Sequence, residues 1–90
     1  MTEAKQGLVA FGPGDISESA RDAIRLSFNP SGDARIQEIK MLTGRLITIC
    51  EGIRDEPGKG AGREAAVAVT NLQTASMWAV LAASKGFGPR

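Results

Sequence analysis

The sequence predicts an all-α protein: an antiparallel helical hairpin with a short N-terminal helix, assembled as an oligomeric helical bundle. Three observations carry that expectation. The run Ala65–Ser84 contains no charge, no Gly and no Pro, although 23% of the chain is charged. Ala, Leu and Met give it strong helix propensity. Upstream, Ile36, Ile39, Leu42, Leu46, Ile49 and Ile53 recur at three- and four-residue steps, the period of an amphipathic helix. Between the two lies DEPGKGAG, Asp55 to Gly62, whose proline and glycines stop one helix and let the chain turn back.

In chain order, residues 1–14 are polar and punctuated by FGPG, which reads as a flexible N-terminal arm. Its Leu8, Val9 and Phe11 suit packing on a neighbour as a short extended piece. The helical domain is expected over 15–84. Its first segment, DISESARDAIRL, offers Asp15 as an N-cap, Glu18 three residues on, and Ile16, Ala20, Ala23 and Ile24 at helical spacing. Next, Asn29 before Pro30 resembles a cap followed by a proline at the first helical position. Gly32 weakens a helix there, which leaves Ser31 and Asp33 as alternative starts. The patterned helix that follows interleaves its apolar stripe with Arg35, Glu38, Lys40, Arg45, Glu51 and Arg54. The second long helix is expected over Arg63–Ser84, and 85–90 form a C-terminal tail.

The two long helices differ in how much burial they need. The first presents one apolar stripe. The second offers Val67, Thr70, Thr74, Met77 and Leu81 on one side and Val69, Leu72, Ser76 and Ala79 on another. A helix without a charged face is usually buried all round, and a single stripe covers only one side of it. Other copies must cover the rest. Ala and Ser at 65, 66, 68, 75, 76, 79, 82 and 83 allow close helix approach.

Composition excludes several function classes. A chain of 90 residues is one small domain, and it has no His and only one Cys, so neither a zinc site nor an intrachain disulfide is available. Cys50 reads as a small buried hydrophobe in a reducing compartment. A net charge of +1 lacks the basic excess used to bind polymeric nucleic acid, whereas a small anion needs only two or three cations. No signal peptide is evident. Ala65–Ser84 has the length of a membrane span, but Thr70, Asn71, Gln73, Thr74 and Ser76 would be costly in lipid. No membrane partner is therefore expected.

Catalysis is poorly supported, because the commonest acid–base residue is missing and Glu38, Glu51 and Glu64 sit where ion pairing is the default. No cofactor is implied. Binding has more to draw on, since Lys40, Arg45 and Arg63 are cations on helices that otherwise pack. Thr70, Asn71, Gln73 and Thr74 add a polar cluster that neighbouring chains or a ligand would satisfy. Trp78 reads as core or interface.

The segment FNPSGDARIQEIK, followed by a Gly-rich turn and REAAVAVTNLQTASMWAV, resembles the helical-hairpin domain of phage anti-CBASS and anti-Thoeris sponges, over roughly Phe28 to Ala83. These small non-enzymatic viral proteins sequester the cyclic nucleotide messengers of host immunity. The resemblance implies interlocked hairpins with ligand pockets between protomers, in a dimer-based homo-oligomer that extends to a hexamer. It implies a cyclic dinucleotide such as cGAMP, or a cyclic trinucleotide, as partner, in the cytoplasm of the infected bacterial host. The family's phosphate-contacting lysine falls on Lys40. At the register of its base-stacking tyrosine this chain has Arg25, whose guanidinium can stack on a base and pair a phosphate; the alternatives are that the role is lost or passes to Phe28 or Phe11. Arg63, Thr70 and Gln73 fall where the family turns polar side chains toward the pocket. The alternative is a small phage structural or regulatory protein that uses the hairpin only for helical oligomerisation, without a nucleotide ligand.

Overall fold

The computed structural model describes residues 11–85, and every regular element among them is helical. A 3-10 turn, Pro13–Asp15, leads into α1 (Glu18–Ile24), α2 (Ala34–Arg54) and α3 (Gly62–Ser84). Residues 1–10 and 86–90, and with them most of the expected arm and tail, lie outside the described residues.

Side-chain chemistry sets each helix end. Asp15 is not the cap of α1; its Oδ2 accepts from the Gly12 N–H at 2.9 Å and closes the 3-10 turn. Ser17 caps instead, its hydroxyl accepting from Ala20 N–H at 3.1 Å. The helix also stops before Leu26. Arg25 turns left-handed at φ 53°, Leu26 N–H reaches Arg21 O at 2.9 Å, and Arg25 N–H reaches Asp22 O at 3.2 Å. Those paired bonds make a Schellman ending, with Arg in the place glycine usually takes.

Asn29 and Pro30 do not start α2 either. Gly32, at φ 69°, donates to Asn29 O at 3.1 Å, so NPSG closes a β-turn. Of the starts left open by the sequence, Asp33 is the one observed. Its Oδ1 accepts from Arg35 N–H at 2.7 Å and Ile36 N–H at 3.2 Å. Burial works against this carboxylate, but those bonds and the Arg35 guanidinium at 3.5 Å outweigh it and hold its pKa below the usual 3.8. The predicted α3 agrees with the observed one to within a residue.

The hairpin of α2 and α3 carries α1 across it, with α1 antiparallel to α2. Ile16, Ala20, Ile24, Leu26 and Ile47 form the core, and Phe11, Met41, Val69 and Leu72 pack around it. Phe11 thus belongs to the domain rather than to a free arm. Gly44 lets α1 approach closely, since a Cβ there would lie 2.8 Å from Ile24 Cδ1 and 3.0 Å from Ile16 Cγ2. A second clamp joins the ends: Ser17 N–H donates to Thr48 Oγ1 at 2.9 Å, and the Ser17 and Ser19 hydroxyls each donate to Glu51 at 2.6 Å. Glu51 is therefore held by hydroxyls, not by the ion pair expected of it. Among the described residues the ion pairs are Arg35–Asp33 and Arg54–Asp55.

The packing face of α2 shares only Ile36 with the predicted stripe. Ile36, Lys40, Gly44 and Ile47 are buried, whereas Leu42, Leu46 and Ile49 are exposed. Ile39 and Ile53 flank that outer row half-buried. Cys50 is half-buried rather than buried. On α3 the inner side is the one bearing Leu72, Ser76 and Ala79. Val67, Met77, Trp78 and Leu81 face outward, Trp78 at 67% exposure. By length and composition α3 is apolar enough to cross a membrane. Only Ile36, Lys40, Gly44 and Ile47 of α2 and Ala65 and Ser76 of α3 are buried, so one chain does not enclose either long helix.

Candidate ligand cleft

The turn that ends α1 folds its carbonyls over a buried lysine on α2. Lys40 is 5% exposed, and its Nζ donates to Arg25 O at 2.8 Å and to Phe28 O. Lys40 sits one turn beyond Ile36 on the packing face. Burial, and then the nearby Arg25 charge, hold its pKa below the usual 10.5. An ammonium has three protons to donate, and two are engaged by main-chain carbonyls. The third is available to an anion.

The neighbouring side chains form a stack. The Arg25 guanidinium lies 4.3 Å from the Phe28 ring centroid, and Lys40 Nζ lies 5.5 Å from the same ring. Phe28 is 53% exposed, so the ring keeps an accessible surface beside two cations. Arg25 and Phe28 are also tied through the backbone, where Phe28 N–H donates to Arg25 O at 2.9 Å.

These residues open into a cleft of about 400 Å³ between the α1 turn and the C-terminal half of α3. Its walls include Arg25, Phe28, Lys40, Gln73, Ser76 and Met77, and among the described residues no carboxylate lines it. Two cations without a counter-charge, an aromatic face and apolar walls suit a small anion that carries flat, partly apolar groups. Of the predicted contacts, the cleft gathers Arg25, Phe28, Lys40 and Gln73. It does not gather Arg63 and Thr70, which are exposed on the N-terminal half of α3. Phe11 lies elsewhere, in a second groove with Asn29, Gln37 and Met41.

Ser76 is not among the predicted contacts, yet it lines the cleft at 4% exposure. Its signal was its register, since Val69, Leu72 and Ala79 share its face of α3. The outward Met77 and Leu81 also line the cleft, so its rim belongs to the surface one chain leaves uncovered. Among the described residues no group of His, Cys, Asp and Glu is arranged to hold a metal ion.

A family model described as Acb2/Tad1, hairpin domain, matches residues 18–84, a span that contains α1, α2, α3 and the whole cleft. No curated protein and no solved structure matches the chain.

Proposed function

The chain belongs to the Acb2/Tad1 hairpin-domain family, the anti-CBASS and anti-Thoeris sponges, and on that premise we propose that its cleft captures a cyclic oligonucleotide. At the level of the family this is a phage protein that binds cyclic nucleotides rather than an enzyme. The observation that carries the proposal is Lys40, a buried ammonium in a cleft with a second cation, an aromatic ring and, among the described residues, no acid.

Capture follows from ordinary forces. Lys40 and Arg25 make charge-assisted bonds to phosphate oxygens, about twice as strong as neutral ones. A base lies against Phe28, where stacking contributes about 1–3 kcal/mol. Gln73 faces the same space from α3. The messenger is held intact and never reaches its effector in the cytoplasm of the infected host. A cyclic dinucleotide such as cGAMP has near two-fold symmetry, so a two-fold pair of chains presents Lys40 to each phosphate. The same polar set admits a cyclic trinucleotide; Arg63 and Thr70 lie outside the cleft and take no part in that capture.

Homo-oligomerisation is part of this reading. Leu42, Leu46 and Ile49 on α2 and Val67, Met77, Trp78 and Leu81 on α3 are exposed apolar side chains, more than a small monomer usually leaves uncovered. A second copy over Met77 and Leu81 would close the cleft.

Calorimetric titration with a panel of cyclic di- and trinucleotides tests the proposal, followed by heat denaturation and recovery of the ligand. At least one should bind and return unaltered. Absence of binding across the panel leaves a hairpin that serves assembly alone, and a cleaved product makes the protein an enzyme.

A further inference from the structure

Hydroxyls on the two long helices are mostly satisfied by the preceding turn. Thr43 donates to Ile39 O at 2.6 Å, Thr48 to Gly44 O at 2.8 Å, Thr74 to Thr70 O at 3.2 Å and Ser84 to Leu81 O at 2.8 Å. Ser76 is more deeply buried than any of them, and its hydroxyl has no hydrogen-bond partner among the described residues. A buried hydroxyl without a partner is destabilising, so such a group calls for an occupant. It lines the cleft, with Gln73 one helical turn before it on the same face of α3.

We propose that Ser76 contacts the captured ligand and that, with Gln73, it reads the polar edge of a base. This rests on the cyclic-oligonucleotide reading of the cleft. The division of labour follows from residue type. Arg25 and Lys40 are donors only and suit phosphate oxygens, while Phe28 supplies a face that any base can use. Spent on phosphate and on a ring face, these groups do not distinguish one base from another. Gln and Ser each donate and accept, so they match a base edge that presents a donor beside an acceptor. Gln pairs most naturally with adenine, accepting from its exocyclic amine and donating to N7, and a serine hydroxyl adapts to either purine. The cleft is thereby biased toward adenine-containing messengers.

Ser76→Ala separates this role from folding. It removes an unpartnered hydroxyl and inserts the best helix former, so the melting temperature of the free protein should hold or rise. Affinity for cyclic di-AMP and for cyclic di-GMP should each fall about three- to tenfold, the span of one neutral hydrogen bond. Thr74→Ala, outside the cleft, should bind both as the native protein does. Native-level binding of both probes by Ser76→Ala overturns this assignment and leaves the capture proposal standing. So does a lowered melting temperature, which would show that the hydroxyl is satisfied within the folded assembly. If the unaltered protein binds neither these probes nor any other cyclic nucleotide, both proposals fall together.

Discussion

Lys40 carries its charge at a depth where an ammonium is ordinarily penalised, and two carbonyls of the α1 turn keep it there. Its lowered pKa fixes a sign. The folded chain holds this proton less tightly than the unfolded chain, so the penalty is present below the folded pKa and lifts as pH rises toward 10.5. A bound phosphate reverses the preference. Affinity for a cyclic nucleotide should therefore decline as pH rises through the Lys40 pKa, below 10.5, and titration calorimetry from pH 7 upward should show proton uptake there. Lys40→Met should abolish both the uptake and most of the affinity. Arg25 offers a cleaner separation of binding from folding. Its left-handed backbone costs an L-residue about 1–2 kcal/mol, which Arg25→Gly relieves against a similar loss of stacking and added backbone freedom. Stability should stay within about 1 kcal/mol by denaturant melts, while loss of the charged contact weakens ligand binding about tenfold or more. Unchanged affinity would remove Arg25 from the site.

At the scale of the element, α2 serves two neighbours and leaves a third face open. Gly44 is buried under α1 while Gly52 is exposed, and they should respond oppositely to the same change. At Gly52 an added Cβ meets nothing within 4 Å, so Gly52→Ala should stabilise by up to about 1 kcal/mol from helix propensity. At Gly44 that gain is set against Ile16, a β-branched side chain with little freedom to yield, and overpacking costs about 1–3 kcal/mol. Gly44→Ala should be the less stable of the two by thermal melting, and the reverse order would place α1 elsewhere. This open face explains how far the sequence could be read. Both long helices, their connection and the antiparallel hairpin were legible, because period and breakers are local signals. The choice between the two apolar faces of α2 was not. It depends on where α1 lands, which Gly44, Thr48 and Glu51 decide through contacts more than two dozen residues distant in sequence. Lys40 was legible as a cation and by its resemblance to the family's lysine; its burial was not, because alternation with apolar residues mimics a solvated row.

For the whole molecule, the outer row of α2 sets the argument. Ile39, Leu42, Leu46, Ile49 and Ile53 follow the alternating three–four spacing of a coiled-coil seam, and their outermost members are exposed in one chain. Ile47 is the single large side chain fully buried among the described residues, so little core offsets the entropy of folding without a partner. Sedimentation at micromolar concentration should show an oligomer, with a melting temperature that rises with concentration. Leu46→Glu places a charge in the middle of the seam at a position the isolated chain leaves 45% exposed. It therefore costs the single chain little and the assembly a buried, unpaired carboxylate. The variant should sediment as a smaller species and melt at a lower temperature. Leu46 does not line the cleft, so ligand binding adds an independent readout. If affinity falls with assembly, a second copy completes the walls begun by Met77 and Leu81. If the dissociated variant binds as well as the native protein, each chain encloses its messenger alone. A native protein that stays monomeric at these concentrations would show that the exposed seam is not a self-association surface.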